Sequence, residues 1–355
     1  MSDQATPPPA VTPPPDEHQR VEALAEETAR RESSFTRMMN SSVGRNLGLV
    51  IALVVLIIIG VATAGDRFAS VDNMLTILRF ASVIGVVSIG MTFVIIGGGI
   101  DLSVGAIVAL ASVWATTLAT QTMAEDTHWL VMVLAALAVG TGCGVVNGTL
   151  IAYGRMAPFI ATLAMLAAAR GLAEIISERK TQIVDVREFV EFFGGDFLGI
   201  PRLVWIFALV SAIGWVLLNR TTFGRRTISV GGNPVAARLA GINVKRHTLF
   251  LYMLVGFACG IAAIMIIART TTGSSTHGLL YELDAIAAVV IGGTLLTGGR
   301  GTIVGTVFGV LIFATLTNVF TLNNLDTSSQ AVAKGVIIVL AVLLQQRVAA
   351  RNGST

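Results

Sequence analysis

Long apolar runs recur along almost the whole chain, and the short polar stretches between them hold nearly all the charge. About ten such runs are present, at roughly 46–64, 75–97, 102–120, 129–152, 157–176, 202–218, 249–268, 284–297, 302–320 and 331–346. A helix needs ~20 apolar residues to cross the hydrocarbon core of a bilayer. Unpaired backbone groups find no water there, so such runs cross as helices. Only 13% of the residues are charged and mean hydropathy is +0.78, whereas soluble domains carry about 25% charged residues. The sequence predicts an all-α polytopic membrane protein with about ten transmembrane helices. The eighth run is short, and is either a full span or a broken, re-entrant segment.

Positive charge in short loops sorts to the cytoplasmic side. With ten spans, Arg30, Arg31, Arg37, Arg45, Arg155, the 219–248 loop, Arg300, Arg347 and Arg351 all fall on one side. The stretches 65–73, 124–126, 177–201, Glu282 and 323–326 fall on the other. Both termini are therefore expected in the cytoplasm. Three parts are expected: a proline-rich, partly disordered cytoplasmic tail at 1–44, a transmembrane domain at 45–346, and a cytoplasmic tail at 347–355. Pro7-Pro8-Pro9 and Pro13-Pro14-Pro15 favour an extended start. Residues 16–37 are rich in helix formers and predict a short surface helix. The first apolar run starts only after about 45 residues, so no cleavable signal peptide is expected.

The 219–248 loop carries Arg220, Arg225, Arg226, Arg238, Lys245 and Arg246, with no Asp or Glu. Within it, Gly231-Gly232-Asn233-Pro234-Val235-Ala236-Ala237-Arg238-Leu239-Ala240-Gly241 reads as a short helix. Asn233 is its expected N-cap, Pro234 its first residue and Gly241 its terminator. Two readings stand: a docking element for a soluble partner, or a structured turn.

Gly97-Gly98-Gly99-Ile100-Asp101-Leu102-Ser103-Val104-Gly105 separates the second and third runs. Asp101 either caps the following helix or shapes a substrate or gating site with Gly98, Gly99 and Ser103. A similar string runs through Gly292-Gly293-Thr294 to Gly298-Gly299-Arg300-Gly301. Glycine-interrupted segments in corresponding positions can point to a transport site. Two rows of glycines, Gly140/Gly144/Gly148 and Gly301/Gly305/Gly309, are expected to let helix backbones approach closely, with a role lining the pathway as the alternative. Charges in or near spans are Arg79, Arg170, Glu174, Asp284 and Lys334. Arg170 and Glu174 are spaced to pair along one helix face, and Arg79 to reach the outer interface. The 177–201 loop mixes acidic residues with Phe189, Phe192, Phe193 and Phe197. It either caps the pathway or meets an external partner, or lies passively at the interface.

Cys143 and Cys259 sit inside apolar runs and read as packing residues. His18, His128, His247 and His277 show no metal-ligand spacing. No phosphate-binding G-x-x-x-x-G-K-[ST], His-Glu-x-x-His or G-x-S-x-G string occurs. No metal, cofactor or catalytic residue is expected, and the chain has nothing with which to hydrolyse ATP.

Three strings, in order, resemble the permease subunits of bacterial ATP-binding-cassette (ABC) sugar importers of the ribose/xylose/galactoside type. They are Gly98–Gly105, Gly231–Ile242, and Tyr281–Gly293 running on to Gly298-Gly299-Arg300-Gly301. The resemblance covers about 45–346. It implies an inner-membrane permease that pairs with a second copy or a homologous chain. It also implies a cytoplasmic ABC ATPase with two fused nucleotide-binding domains and an extracytoplasmic sugar-binding protein, with no nucleic acid. The 233–240 helix then resembles the coupling helix that sits in the ATPase, through Gly232, Asn233, Pro234, Ala236, Ala237, Arg238 and Gly241. Val235 stands where the wider importer class has an acidic residue. The implied mechanism is alternating access driven by ATP. The sugar itself, whether pentose, hexose or inositol, stays open. A branched-chain amino-acid permease and a proton-coupled secondary transporter remain the alternatives.

Overall fold

The computed structural model describes residues 42–352. The proline-rich segment, the surface helix expected at 16–37 and the last three residues lie outside the described residues. The chain divides into two compact units, Met1–Gly48 and Leu49–Thr355. Of the first unit only the opening of one helix, α1 (Ser42–Ala64), is described.

The second unit is helical. After α1 come α2 (Asp66–Ala69), α3 (Val71–Ile96), α4 (Val104–Ala115), α5 (Leu118–Asp126), α6 (Leu130–Ala152) and α7 (Pro158–Ile176). An outer segment follows, with β1 (Gln182–Ile183), α8 (Arg187–Gly194), β2 (Asp196–Phe197) and β3 (Ile200–Pro201). The chain then continues through α9 (Arg202–Arg220), α10 (Thr222–Gly232), α11 (Pro234–Leu239), α12 (Val244–Thr270), β4 (Thr272–Gly273), α13 (Tyr281–Ile291), α14 (Ile303–Leu322) and α15 (Thr327–Asn352). The strands are two-residue pieces: β1 pairs antiparallel with β4, and β2 with β3.

Among the described residues, seven helices are long and apolar enough to cross a membrane. The α4–α5 pair, bent by 54°, adds an eighth if it is one span. The bend has a local cause. The Thr116 hydroxyl donates to Ser112 O at 2.9 Å and the Thr117 hydroxyl to Trp114 O at 3.2 Å. Such side chains compete with the helix ladder and redirect it, and Thr117 then caps α5 by accepting from Thr120 N.

The eighth apolar run contains a half-length helix. α13 has 11 residues, ~16 Å at 1.5 Å per residue, about half of the ~30 Å hydrocarbon core. It stops at Gly292-Gly293, and the chain continues irregularly to Thr302.

α3 is the centre of the bundle. It is buried from Ala81 to Ile96 and packs against α9, α12, α13 and α14. Both glycine rows mark close helix crossings. A Cβ at Gly140 would overlap Gly256 O, and one at Gly144 would overlap Tyr252 O, so α6 and α12 touch backbone to backbone. Gly305 and Gly309 face Gly292 O and Ala288 O in the same way, the small-residue packing of membrane helices. A buried Thr92–Thr306 hydroxyl pair at 2.7 Å joins α3 to α14.

The charges near spans resolve into specific pairs. Arg79 reaches out to Asp196 at 3.6 Å. Arg170 and Glu174 do not pair: Glu174 meets Arg179 at 3.1 Å. Arg170 instead donates to the carbonyls of Ser275 and His277. Those carbonyls belong to an irregular loop that no helix ladder satisfies, so a guanidinium with several donors is used there. Lys334 and Asp284 form a pair at 3.2 Å between α15 and α13.

Candidate functional site

The basic loop folds as two consecutive helices, α10 and α11. Asn233 caps α11 as the sequence predicts, accepting from Val235 N at 3.0 Å and Ala236 N at 2.9 Å. Pro234 is its first residue. The end is a Schellman motif: Gly241 N donates to Arg238 O, Ile242 N donates to Ala237 O, and Gly241 has φ +82°. The apolar side chains of α11 are largely outside. Val235 is 63% exposed and Leu239, one turn on, is 85% exposed, whereas Ala237 is 4% exposed and faces the bundle. Arg225, Arg226 and Arg238 are exposed around them.

α10 is absent from the sequence reading. Its signal was an N-cap at Thr221 followed by Gly224, Thr227 and Val230, which share the buried face. It is anchored on two elements. Thr227 Oγ1 meets His247 Nε2 of α12 at 2.9 Å. The Phe223 ring lies between His247 at 4.7 Å and Phe93 of α3 at 6.1 Å.

Three glycine strings meet where α10 ends. Gly299 N donates to Ile96 O at 2.8 Å. A Cβ on Gly231 would overlap the same carbonyl and stand 2.7 Å from Gly299 N. One on Gly298 would stand 2.8 Å from Gly231 O and 3.0 Å from Gly98 Cα. The loop helices thus touch the ends of the segments after α3 and α13 through bare backbone. A cavity of about 350 Å³ borders this junction, with Gly98, Gly231, Pro234 and Thr297 in its wall.

The two similar strings share one local structure. Gly98 N donates to Ile95 O and Gly99 N to Val94 O. Gly293 N donates to Val290 O and Thr294 N to Val289 O. Gly98 and Gly293 have φ +82° and +87°. Each helix is closed by the same two-bond cap with glycine in the left-handed region. Gly292 lies against Gly305, and Thr294 is buried beside Gly301.

Asp101 is fully buried but is not the N-cap of α4. That position is Ser103. Asp101 makes an Asx turn instead, its Oδ1 accepting from Ser103 N at 2.8 Å and from the Ser103 hydroxyl at 2.5 Å. Asn147 Nδ2 donates to Ser103 Oγ at 2.9 Å, and the Tyr252 hydroxyl donates to Ile100 O at 3.2 Å. Asp101 and Tyr252 thus satisfy backbone that leaves helical geometry inside the bundle, and Asn147 holds the Ser103 hydroxyl. The candidate residues therefore form two groups. Gly98 and the 231–241 segment meet at one end of the bundle, while Asp101 and Ser103 sit with Asn147 between α4 and α6. Among the described residues, no group of His, Cys, Asp and Glu is arranged to hold a metal ion.

Residues 73–344 match the family described as "Branched-chain amino acid transport system / permease component". The ribose import permease protein RbsC of Escherichia coli (strain K12) is 40% identical over 302 residues, covering 84% of this chain and 92% of that protein. RbsC of Bacillus subtilis (strain 168) is 40% identical over 322 residues, covering 90% and 98%. The L-arabinose ABC transporter permease protein AraH of Azospirillum brasilense is 36% identical over 319 residues, covering 90% and 91%. No solved structure matches the chain. A family match over most of the chain, with relatives this similar along nearly their full length, shows that the protein belongs to this family of transport-system permease components.

Proposed function

We propose that the chain is the transmembrane subunit of an ATP-driven importer that takes up a monosaccharide, ribose or a similar pentose, hexose or polyol. It is a multi-pass protein of the bacterial inner membrane, crossing it about ten times with both termini in the cytoplasm. Its transmembrane domain spans 45–346, between cytoplasmic tails at 1–44 and 347–355. It is not itself an enzyme: a separate cytoplasmic ABC ATPase with two fused nucleotide-binding domains hydrolyses ATP. A second permease chain, another copy or a homologue, completes the pathway, and an extracytoplasmic sugar-binding protein delivers the substrate.

One observation carries the coupling role. α11 is capped at both ends yet holds Val235 and Leu239 out from the bundle within a basic rim. On the proposed topology that face is in water on the cytoplasmic side, where exposed apolar groups flanked by charge mark a protein contact. Gly232, Asn233, Pro234, Ala236, Arg238 and Gly241 shape and present this face. Ala237 seats it. The Gly98–Gly231–Gly299 junction passes its movement to α3 and α13, and Gly99, Asp101, Ser103, Gly292, Gly293 and Thr294 hold the irregular segments that let these elements shift. In alternating access, ATP binding closes the ATPase, the loop helices follow, and rigid-body motion of the two permease chains opens the pathway outward.

The amino-acid reading takes its support from the family's name and from the Gly98-Gly99-Ile100-Asp101-Leu102-Ser103 string, which resembles that class as well. The relatives described above are named for ribose and arabinose. The test is to replace Leu239 and Arg238 by Glu, singly and together, and follow ATPase capture and labelled ribose uptake. Both should fall together while the permease still reaches the membrane. Full capture and uptake by the double variant would refute the coupling role.

A further inference from the structure

A cavity of about 210 Å³ lies between α3, α13, α14 and α15, apart from the glycine junction. Its wall holds an ion pair. Lys334 Nζ donates to Asp284 Oδ2 at 3.2 Å and Oδ1 at 3.3 Å, with the two side chains 19% and 20% exposed. The pair is shielded from solvent, with Asp284 in the first turn of α13 and Lys334 within α15. Charged side chains within apolar helices are costly, and they mark pathways for substrates more often than they add stability.

The rest of the lining fits a small neutral polyol. Thr76, Thr317 and Thr321 face the cavity, and each hydroxyl spends its proton on a carbonyl of its own helix, at 2.8, 2.9 and 2.9 Å. The Thr76 and Thr317 oxygens are left as acceptors for hydroxyl donors, while Thr321 Oγ1 also accepts from Gln330 Nε2 at 3.5 Å. Asp284 adds acceptor capacity and Lys334 donor capacity. Asn318 is fixed by a reciprocal amide pair with Asn73, at 3.1 and 2.7 Å. Phe80 and Phe313 supply apolar surface for the C–H side of a sugar ring, and each ring is overlaid by a cation, Arg269 at 4.5 Å and Lys334 at 5.0 Å. Mostly apolar walls with a few fixed polar groups are the general pattern of small-molecule sites.

We infer that this cavity is a transit site for a neutral polyol, with the Asp284–Lys334 pair hydrogen-bonding adjacent hydroxyls as the substrate passes. The inference rests on the monosaccharide reading. It is tested in proteoliposomes holding the permease with its ATPase and binding protein, using D-ribose and L-arabinose as probes. Asp284→Asn and Lys334→Gln each leave a buried charge alone, so the informative variant carries both changes, a replacement that folds commonly tolerate. The double variant should capture the ATPase normally yet take up either sugar at least tenfold more slowly. A Thr317→Cys variant in a Cys143→Ala, Cys259→Ala background should be protected from maleimide by ribose during turnover. A double variant that transports at the wild-type rate, or labelling indifferent to both sugars, overturns the site while the sugar reading stands. A wild-type complex that imports neither sugar overturns both.

Discussion

Gly231 has no room for a side chain. Its hypothetical Cβ would overlap Ile96 O, a backbone atom that cannot rotate away. Gly142, on α6, has nothing within 4 Å of the same position. Gly231→Ala should therefore displace α10 from α3, at an overpacking cost of about 1–3 kcal/mol, and abolish uptake. Gly142→Ala should leave uptake near normal. Measuring transport of the two side by side checks the junction, and equal activity would argue against it. His277 offers a second test at this scale. It lies in the 274–280 loop, outside the helices, with Nδ1 3.2 Å from the Ser112 hydroxyl. Burial, then Arg269 and Arg170, push its pKa down from 6.5 to about 4. Because the folded pKa lies below the unfolded one, the unfolded chain takes up the proton first. Stability from the neutral ring is complete above pH 6.5 and is lost as pH falls from 6.5 towards 4. Thermal unfolding of purified wild type should fall more steeply over that window than that of His277→Gln.

Among the elements, α11 was fully legible because its signals are local. Asn233, Pro234 and Gly241 sit at cap spacings that do not depend on the rest of the fold. Asn233→Ala should remove the cap at a cost of about 1 kcal/mol and weaken ATPase capture severalfold without changing membrane insertion. Ala237→Glu should act differently. It buries a charge beneath the helix, so the loop should become protease-sensitive as well as inactive, whereas Leu239→Glu should stay resistant. α10 was not legible as a helix because Arg225 and Arg226 interrupt any apolar run, and its buried face depends on Phe93 and His247 from distant elements. The α4–α5 bend was hidden for another reason. Run length and hydropathy do not register two threonines that turn on their own helix. The break after α13 was half visible in Gly292-Gly293. Arg170 misled because helical spacing favours Glu174, while the loop carbonyls it binds lie more than 100 residues away in sequence. The N-cap of α4 falls at Ser103, two residues after Asp101, and local sequence does not separate the two because an Asx turn and an N-cap use the same residue types.

For the whole molecule, apolar runs and loop charges were enough to identify a polytopic helical membrane protein, since the bilayer imposes both patterns directly. They do not reveal which helix is central, because α3 is less apolar than α12 and α14 and owes its place to packing. The proposed topology puts Arg225 and Arg238 in the cytoplasm and Glu188 outside. In the Cys143→Ala, Cys259→Ala background, a cysteine at 188 should react with a membrane-impermeant maleimide in intact cells. Cysteines at 225 and 238 should react only after lysis, and the reverse pattern would invert the topology. The central claim is that this permease moves a monosaccharide at the expense of ATP hydrolysed by a partner. The most direct measurement is labelled ribose uptake into proteoliposomes containing the permease, its ATPase and its binding protein, with a protonophore present. Uptake should require both ATP and the ATPase and be indifferent to the protonophore. Uptake that persists without the ATPase and stops when the proton gradient collapses would contradict it.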